Sequence, residues 1–244
     1  MEKYLEVFKD YTNKYDKNDK LISLKVSHSI RVAKLCEDIA KNMKLDEKDI
    51  KLAYIIGLTH DYGRFDQISR YHSFDDLKTM DHGEHGANLL IEMGLINEYD
   101  VDVDDYGVVA AAIRNHNKLN IEKGLNEREL LMSKLIRDAD KLDILYLVSK
   151  NIIDVSMEKD FSKEAVADLR KMKSVDAINV KSKSDKHLTN LGLVYDLNYE
   201  YSFKYLESSG YLEEIVYRRN DEELKKIEEN IMEYVYSRGE KNGK

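Results

Sequence analysis

Proline is absent from this sequence, and glycine supplies only 11 of its 244 residues. Proline breaks helix interiors and marks turns, so its absence removes a strong local obstacle to long helices without by itself establishing a helical fold. Cysteine is nearly absent as well. The single Cys36 excludes an internal disulfide, and its place in the apolar stretch VAKLCEDIA assigns it to packing. An excess of basic residues is also missing: 39 Lys and Arg against 47 Asp and Glu leave a formal net charge of −8. Binding a nucleic-acid polymer through its phosphates calls for a basic surface, so that partner is disfavoured; a small phosphorylated molecule needs only a few local cations. No long apolar run follows the charged N-terminus MEKYLEVFKDYTNKYDKNDK. A cytoplasmic protein with neither signal peptide nor membrane anchor is therefore expected.

What is present is a composition 42% hydrophobic and 35% charged, suited to a packed globular chain. Its recurring pattern is an amphipathic helix, a short polar connection, and another helix. From Val26 to Met43, the series Val32, Leu35, Ile39 and Met43 keeps the three- and four-residue spacing of one buried face. Asp46 to Thr59 opens on a capping-type start, Asp46 with Asp49, and runs into AYIIGL, which is apolar nearly all round and so predicts a central helix. Asp81 with Glu84 predicts another capped start, leading to a helix that ends near Gly94. Residues 105–116 and 127–150 read as two more helices, as do 161–173 and 221–238, and 195–217 is rich in tyrosine and leucine. The polar words YGRFDQISRYHSF and SVDAINVKSKSDKH are expected to be irregular, the second carrying His187. The acidic NEYDVDVDD lacks the glycine and closing glutamate of a calcium loop and reads as a solvated connection.

The chemistry-bearing residues concentrate in the first 150 positions. His28 extends the apolar face of Val32 and Leu35, His60 closes the most apolar helix, and Asp61 follows it directly. His116 ends an alanine-rich helix on the face of Ala112 and Val109, and Asp140 lies between Ala139 and Leu142 in a long helix. Any one of these polar groups, taken alone, is most simply a satisfied core group or a helix cap. Several together are different, because a buried carboxylate is costly without a cation or several donors, and one divalent metal compensates all of them at once.

The ordered set His28, His60–Asp61 and Asp140, in the words HSIRVA, THDYGRF and RDADKLDIL, resembles the HD-domain superfamily of metal-dependent phosphohydrolases. That resemblance implies an all-α fold: an HD-domain helical bundle over 21–150, an N-terminal helix within 1–20 packing on it, and a C-terminal helical extension over 151–244. It places the last ligand at Asp140 rather than Asp138; at about 100° per residue the two project roughly 200° apart and are not expected to serve one ion. DHGEHGANLL and RNHNK are similar to the segments of relatives that hold a second ion, which implies His82 and His116 as further ligands or phosphate contacts. His85, one turn from His82, lies outside that pattern. The GYP motif of cyclic-dinucleotide phosphodiesterases is absent, so cyclic di-GMP is not the implied substrate.

Mixed imidazole and carboxylate ligands suit Mn, Fe, Co, Ni or Zn better than Mg, with one ion or two. The implied activity is hydrolysis of a phosphoester or phosphoanhydride in a nucleotide or other small phosphorylated molecule by metal-activated water, with Asp61 orienting or deprotonating that water. Arg31, Arg64, Lys118 and Lys141 are the candidate phosphate cations, with Arg64 the leading one. Tyr62, Arg70, Tyr71 and His72 are placed near a pocket wall without assigned roles. Two other readings stand beside this one: a di-iron oxygenase of the HD type, marked by dioxygen-dependent turnover without phosphate release, and a non-catalytic, metal-stabilised nucleotide sensor, marked by binding without turnover. A homodimer through the tyrosine-rich C-terminal part is left open.

Overall fold

In a computed structural model, the described residues are 1–153, 156, 158–219, 221–222 and 224–239. Among them the secondary structure is helical throughout, with no strand, so the fold is all-α. The chain divides into two compact units, Met1–Asp140 and Lys141–Lys244, and the division falls inside one long helix.

The first unit contains α1 (Glu2–Thr12), α2 (Lys20–Asn42), α3 (Glu47–Thr59), α4 (Tyr62–Tyr71), α5 (His82–Ile91) and α6 (Tyr106–His116), and the start of α7 (Glu127–Ser149). Helix α3 packs against α1, α2 and α6, and α5 lies against both α4 and α6. Leu52, Ala53, Ile55, Ile56 and Leu58 are all buried, as an all-round apolar helix requires. The caps explain the starts. Asp46 Oδ1 accepts from the Asp49 N–H at 2.8 Å, and the Asp81 side chain accepts from the Gly83 and Glu84 N–H groups. Helix α2 begins earlier than its apolar face, because Asp19 caps it through the Leu21 N–H at 2.8 Å. On α1, Tyr4, Phe8 and Tyr11 are buried, and Tyr11 stacks on Tyr62 with ring centroids 3.9 Å apart.

Two glycines set how closely helices approach. A Cβ on Gly57 would lie 2.6 Å from Ala33 Cα, and one on Gly63 would lie 2.2 Å from His82 O and 2.9 Å from Gly86 N. The first brings α3 onto α2, and the second brings α4 onto the start of α5.

The expectation that YGRFDQISRYHSF is irregular is overturned: residues 62–71 form α4. Phe65 and Ile68 are fully buried one turn apart, a face too short to stand out in the sequence, and the helix ends at His72 in the left-handed region, φ 47°. In the second unit, α8 (Lys163–Arg170), α9 (Asp185–Gly192), α10 (Glu200–Ser209), α11 (Tyr211–Arg219) and α12 (Lys225–Gly239) follow. The expected loop 174–187 holds a short 3-10 turn, Ala177–Asn179, and runs into α9, so His187 is a buried helical residue rather than a loop residue. The Asp185 carboxylate accepts from the N–H groups of Ser162, Lys181 and Ser182, an organising device that hydrophobic periodicity does not reveal. No helix among the described residues is long and apolar enough to cross a membrane.

Candidate metal centre

Four helices and the α3–α4 junction bring six side chains together in the first unit. His28 comes from α2, His60 and Asp61 from the α3–α4 junction, His82 from α5, His116 from α6 and Asp140 from α7. His28, His60 and Asp61 have ligand atoms all within 4.8 Å of one another, and so do Asp61, His82 and His116. Asp61 belongs to both groups. Its Oδ2 lies 3.4 Å from His28 Nε2 and 3.3 Å from His60 Nε2, while its Oδ1 lies 3.5 Å from His82 Nε2 and 3.8 Å from His116 Nε2. Asp140 Oδ1 closes the first group at 3.0 Å from His28 Nε2 and 3.7 Å from His60 Nε2.

The outward nitrogens decide what the inward ones can do. His60 Nδ1–H donates to Gly57 O at 2.8 Å, and His116 Nδ1–H donates to Ile113 O at 2.6 Å; a carbonyl only accepts, so each Nδ1 carries the hydrogen. His82 Nδ1–H donates to Asp76 Oδ2 at 2.6 Å. In their neutral forms all three rings therefore turn a bare Nε2 lone pair inward. His60 Nε2 is buried without a hydrogen-bond partner, and the Nε2 atoms of His82 and His116 face each other at 2.9 Å. Lone pairs and carboxylates converging in a buried site call for a cation, and this donor set fits a divalent metal.

Protonation follows the same logic. Burial works against a charge on His60, but Asp61 and Asp140 outweigh it and raise the group to about 9, so a proton stands where a cation would. Burial would raise the Asp61 carboxyl, yet the charges of Lys25 and His60 hold it well below the usual range. Asp140 is likewise held low by His28 and His60 against its burial. His82 is lowered to about 3 by burial and by the Arg64 charge, against the pull of Asp76, and His116 is lowered mainly by burial.

Residues 26–145 match the family model of the HD domain. That stretch of the chain is an HD domain. No curated protein and no solved structure matches it. HD domains bind divalent metals and are mostly hydrolases.

Around the HD-domain centre, the expected phosphate cations are distributed unevenly. Arg64 Nη1 donates to Asp76 Oδ1 and Phe74 O, both at 2.8 Å, and its Nε lies 3.7 Å from Asp61 Oδ1. Lys118 is ion-paired with Asp81, the cap of α5, and Lys141 pairs with Asp196 at 2.8 Å within the second unit. Arg31 stands half-buried on α2, one turn beyond His28. His85 donates instead to Asp66 Oδ2 at 2.7 Å, and Asp66 Oδ1 accepts from Tyr15 at 2.9 Å. His72 is exposed.

Three residues at the centre carry no expectation from the sequence. Lys25 Nζ lies 2.6 Å from Asp61 Oδ2 and 5.5 Å from the centroid of the Phe74 ring. It sits one turn before His28, a position visible only once α2 is known to start at Lys20. Asp76 lies in a polar loop without periodic signal. Arg137, fully buried, donates from Nη1 to Asn115 O and Lys118 O, both at 2.6 Å, and so holds the chain leaving α6 beside His116.

Proposed function

We propose that the chain is a metal-dependent phosphohydrolase that cleaves a phosphoester or phosphoanhydride bond of a nucleotide or other small phosphorylated molecule. The observation that carries the proposal is the set of Nε2 atoms on His60, His82 and His116, each ring with its Nδ1–H already donated outward, gathered around the ionised carboxylate of Asp61. His28, His60, Asp61 and Asp140 hold one divalent ion in this reading, and His82 and His116 hold a second, with Asp61 shared between them. Mn, Fe, Co, Ni and Zn suit the mixed donors better than Mg. A bound ion of this kind polarises a phosphoryl oxygen and lowers the pKa of water.

The chain's own residues supply the rest. Asp61, held ionised, can accept a hydrogen bond from the attacking water and orient it. Lys25 Nζ and Arg64 Nε, both beside Asp61, offer positive charge to phosphoryl oxygens. Lys118 and Lys141 are already neutralised by Asp81 and Asp196, which makes them weaker candidates for that contact.

The test begins with metal analysis of chain purified without chelator, followed by phosphate-release assays on a nucleotide panel with added Mn²⁺, Co²⁺ or Mg²⁺. Metal-dependent phosphate release that His60→Ala and Asp61→Ala abolish, with helical content retained, is the expected result. Full activity in either variant would overturn the reading. Dioxygen uptake without phosphate release would assign the site to oxygenase chemistry, and stoichiometric binding without turnover to a sensor.

A further inference from the structure

We propose that Asp76 is the positioning residue for the His82 half of the centre, an inference that rests on reading Asp61, His82 and His116 as a metal-holding group. Asp76 lies in the connection between α4 and α5, and its two oxygens serve two different tasks. Oδ1 accepts from Arg64 Nη1 at 2.8 Å and from Gln67 Nε2 at 2.9 Å, both on α4. Oδ2 accepts from His82 Nδ1 at 2.6 Å and from Asn117 Nδ2 at 3.0 Å, groups on α5 and just past α6. One carboxylate thus receives four donors from three parts of the first unit.

The connection is pinned before it reaches the imidazole. Gln67 Nε2 also donates to Thr79 Oγ1 at 2.7 Å and Met80 O at 3.0 Å, Thr79 Oγ1 donates to Asp75 O at 2.6 Å, and Arg64 holds Phe74 O. Helix α4, which begins beside Asp61, thereby fixes the carboxylate that orients His82.

A neutral imidazole carries its proton on either nitrogen. On Nε2, the proton would point at Asp61 and His116 and block ligation. With Asp76 accepting from Nδ1, the proton sits outside and Nε2 stays open toward Asp61 Oδ1, 3.5 Å away. Carboxylates placed behind metal-binding histidines act in this way, and their loss typically weakens metal affinity on the order of 10–100-fold. Asparagine cannot replace Asp76: its one oxygen can serve only one pair of donors, and its amide NH₂ would confront the other pair.

The experiment uses the whole chain, stripped of metal. Long-range ¹H–¹⁵N correlation reads the His82 tautomer, assigned by its loss in His82→Gln, and a titration with Mn²⁺, followed by electron paramagnetic resonance, counts bound ions. The parent is expected to show His82 protonated on Nδ1. In Asp76→Asn the proton shifts toward Nε2, and the second Mn²⁺ binds about 10–100-fold more weakly while the first is unaffected. Asp76→Ala, which leaves room for water behind the ring, carries the same expectations should the asparagine variant fail to fold. Gln67→Met removes one of the four donors while Arg64 stays on Asp76 Oδ1 and His82 on Oδ2, and is expected to keep the tautomer and to weaken the second ion less than either Asp76 variant. An unchanged tautomer and second-ion affinity in both Asp76 variants would overturn the proposal, as would equal losses in Gln67→Met. If the parent takes up one Mn²⁺ and His116→Gln leaves that uptake intact, the two-ion reading fails instead, and the tautomer alone decides the role of Asp76.

Discussion

The Nε2 atoms of His82 and His116 stand 2.9 Å apart on rings whose Nδ1–H groups are already donated to Asp76 and Ile113. Two neutral imidazoles in this relationship repel unless a cation lies with them. Metal loading is therefore expected to stabilise the first unit. At an ion concentration 100 times Kd the stabilisation is about 2.7 kcal/mol, which for a chain of this size raises Tm by roughly 5–10 °C. Differential scanning calorimetry with Mn²⁺ and then with a chelator checks this. A Tm indifferent to both would mean that the centre is satisfied without a metal.

Metal uptake should also release protons. His60 is raised to about 9 in the metal-free chain, so at pH 7 it is protonated, while a ligating imidazole must be neutral. Apparent affinity should rise up to about tenfold per pH unit from pH 7 and level off near the His60 value. In the metal-free chain the linkage has the opposite direction: the stability contributed by protonated His60 is fully present below its unfolded value of 6.5 and is lost as pH rises toward about 9. Calorimetric titration in buffers of different ionisation heat measures the released proton. An observed heat independent of the buffer would count against a protonated His60.

Lys25 offers a prediction with two opposite signs. Its ammonium lies 2.6 Å from Asp61 Oδ2 and helps hold that carboxyl low, so it competes electrostatically with an incoming ion. Lys25→Met should tighten Mn²⁺ binding, on the order of tenfold, because one unit of repulsion near the ion is removed. The same variant should lower kcat/KM for a phosphorylated substrate by roughly 10–100-fold, because a charge-assisted contact to phosphate is lost. Parallel loss of both properties would show that Lys25 merely supports the fold.

The first-unit helices were largely readable, because apolar spacing and acidic caps such as Asp46 and Asp81 act within one or two turns. The all-α architecture and the HD family follow from the words around His28, His60–Asp61 and Asp140. What escaped was set by distant contacts. Residues 62–71 carry only a short buried face, Phe65 and Ile68, and Phe65 packs on Phe8 and Tyr11 from α1. Asp76 has meaning only through Arg64, Gln67, His82 and Asn117, which fold around it from other segments. Charged residues were the least readable. Lys141 adjoins Asp140 in the sequence, yet it is paired with Asp196, 55 residues further along.

The closeness of α4 to α5 can be tested without touching a polar group. Gly63 follows the His60–Asp61 pair by two residues, and a Cβ there would meet His82 O at 2.2 Å and Gly86 N at 2.9 Å. Both neighbours are backbone, so neither can turn aside, and Gly63→Ala must push the start of α5 away from Asp61. The expected cost is roughly 2–3 kcal/mol, at the upper end of overpacking effects, together with loss of the second ion as His82 withdraws. Gly107 on α6 is the matched control: its nearest neighbour, Glu129 Oε1, lies 3.5 Å from the added carbon, an ordinary contact. Gly107→Ala should instead stabilise by about 0.5–1 kcal/mol, since alanine loses less backbone entropy in a helix. Urea unfolding followed by helical circular dichroism, with Mn²⁺ counted in parallel, separates the two variants. If Gly63→Ala behaved like Gly107→Ala, α4 and α5 would not be in backbone contact, and His82 would be placed beside Asp61 by something other than that crossing.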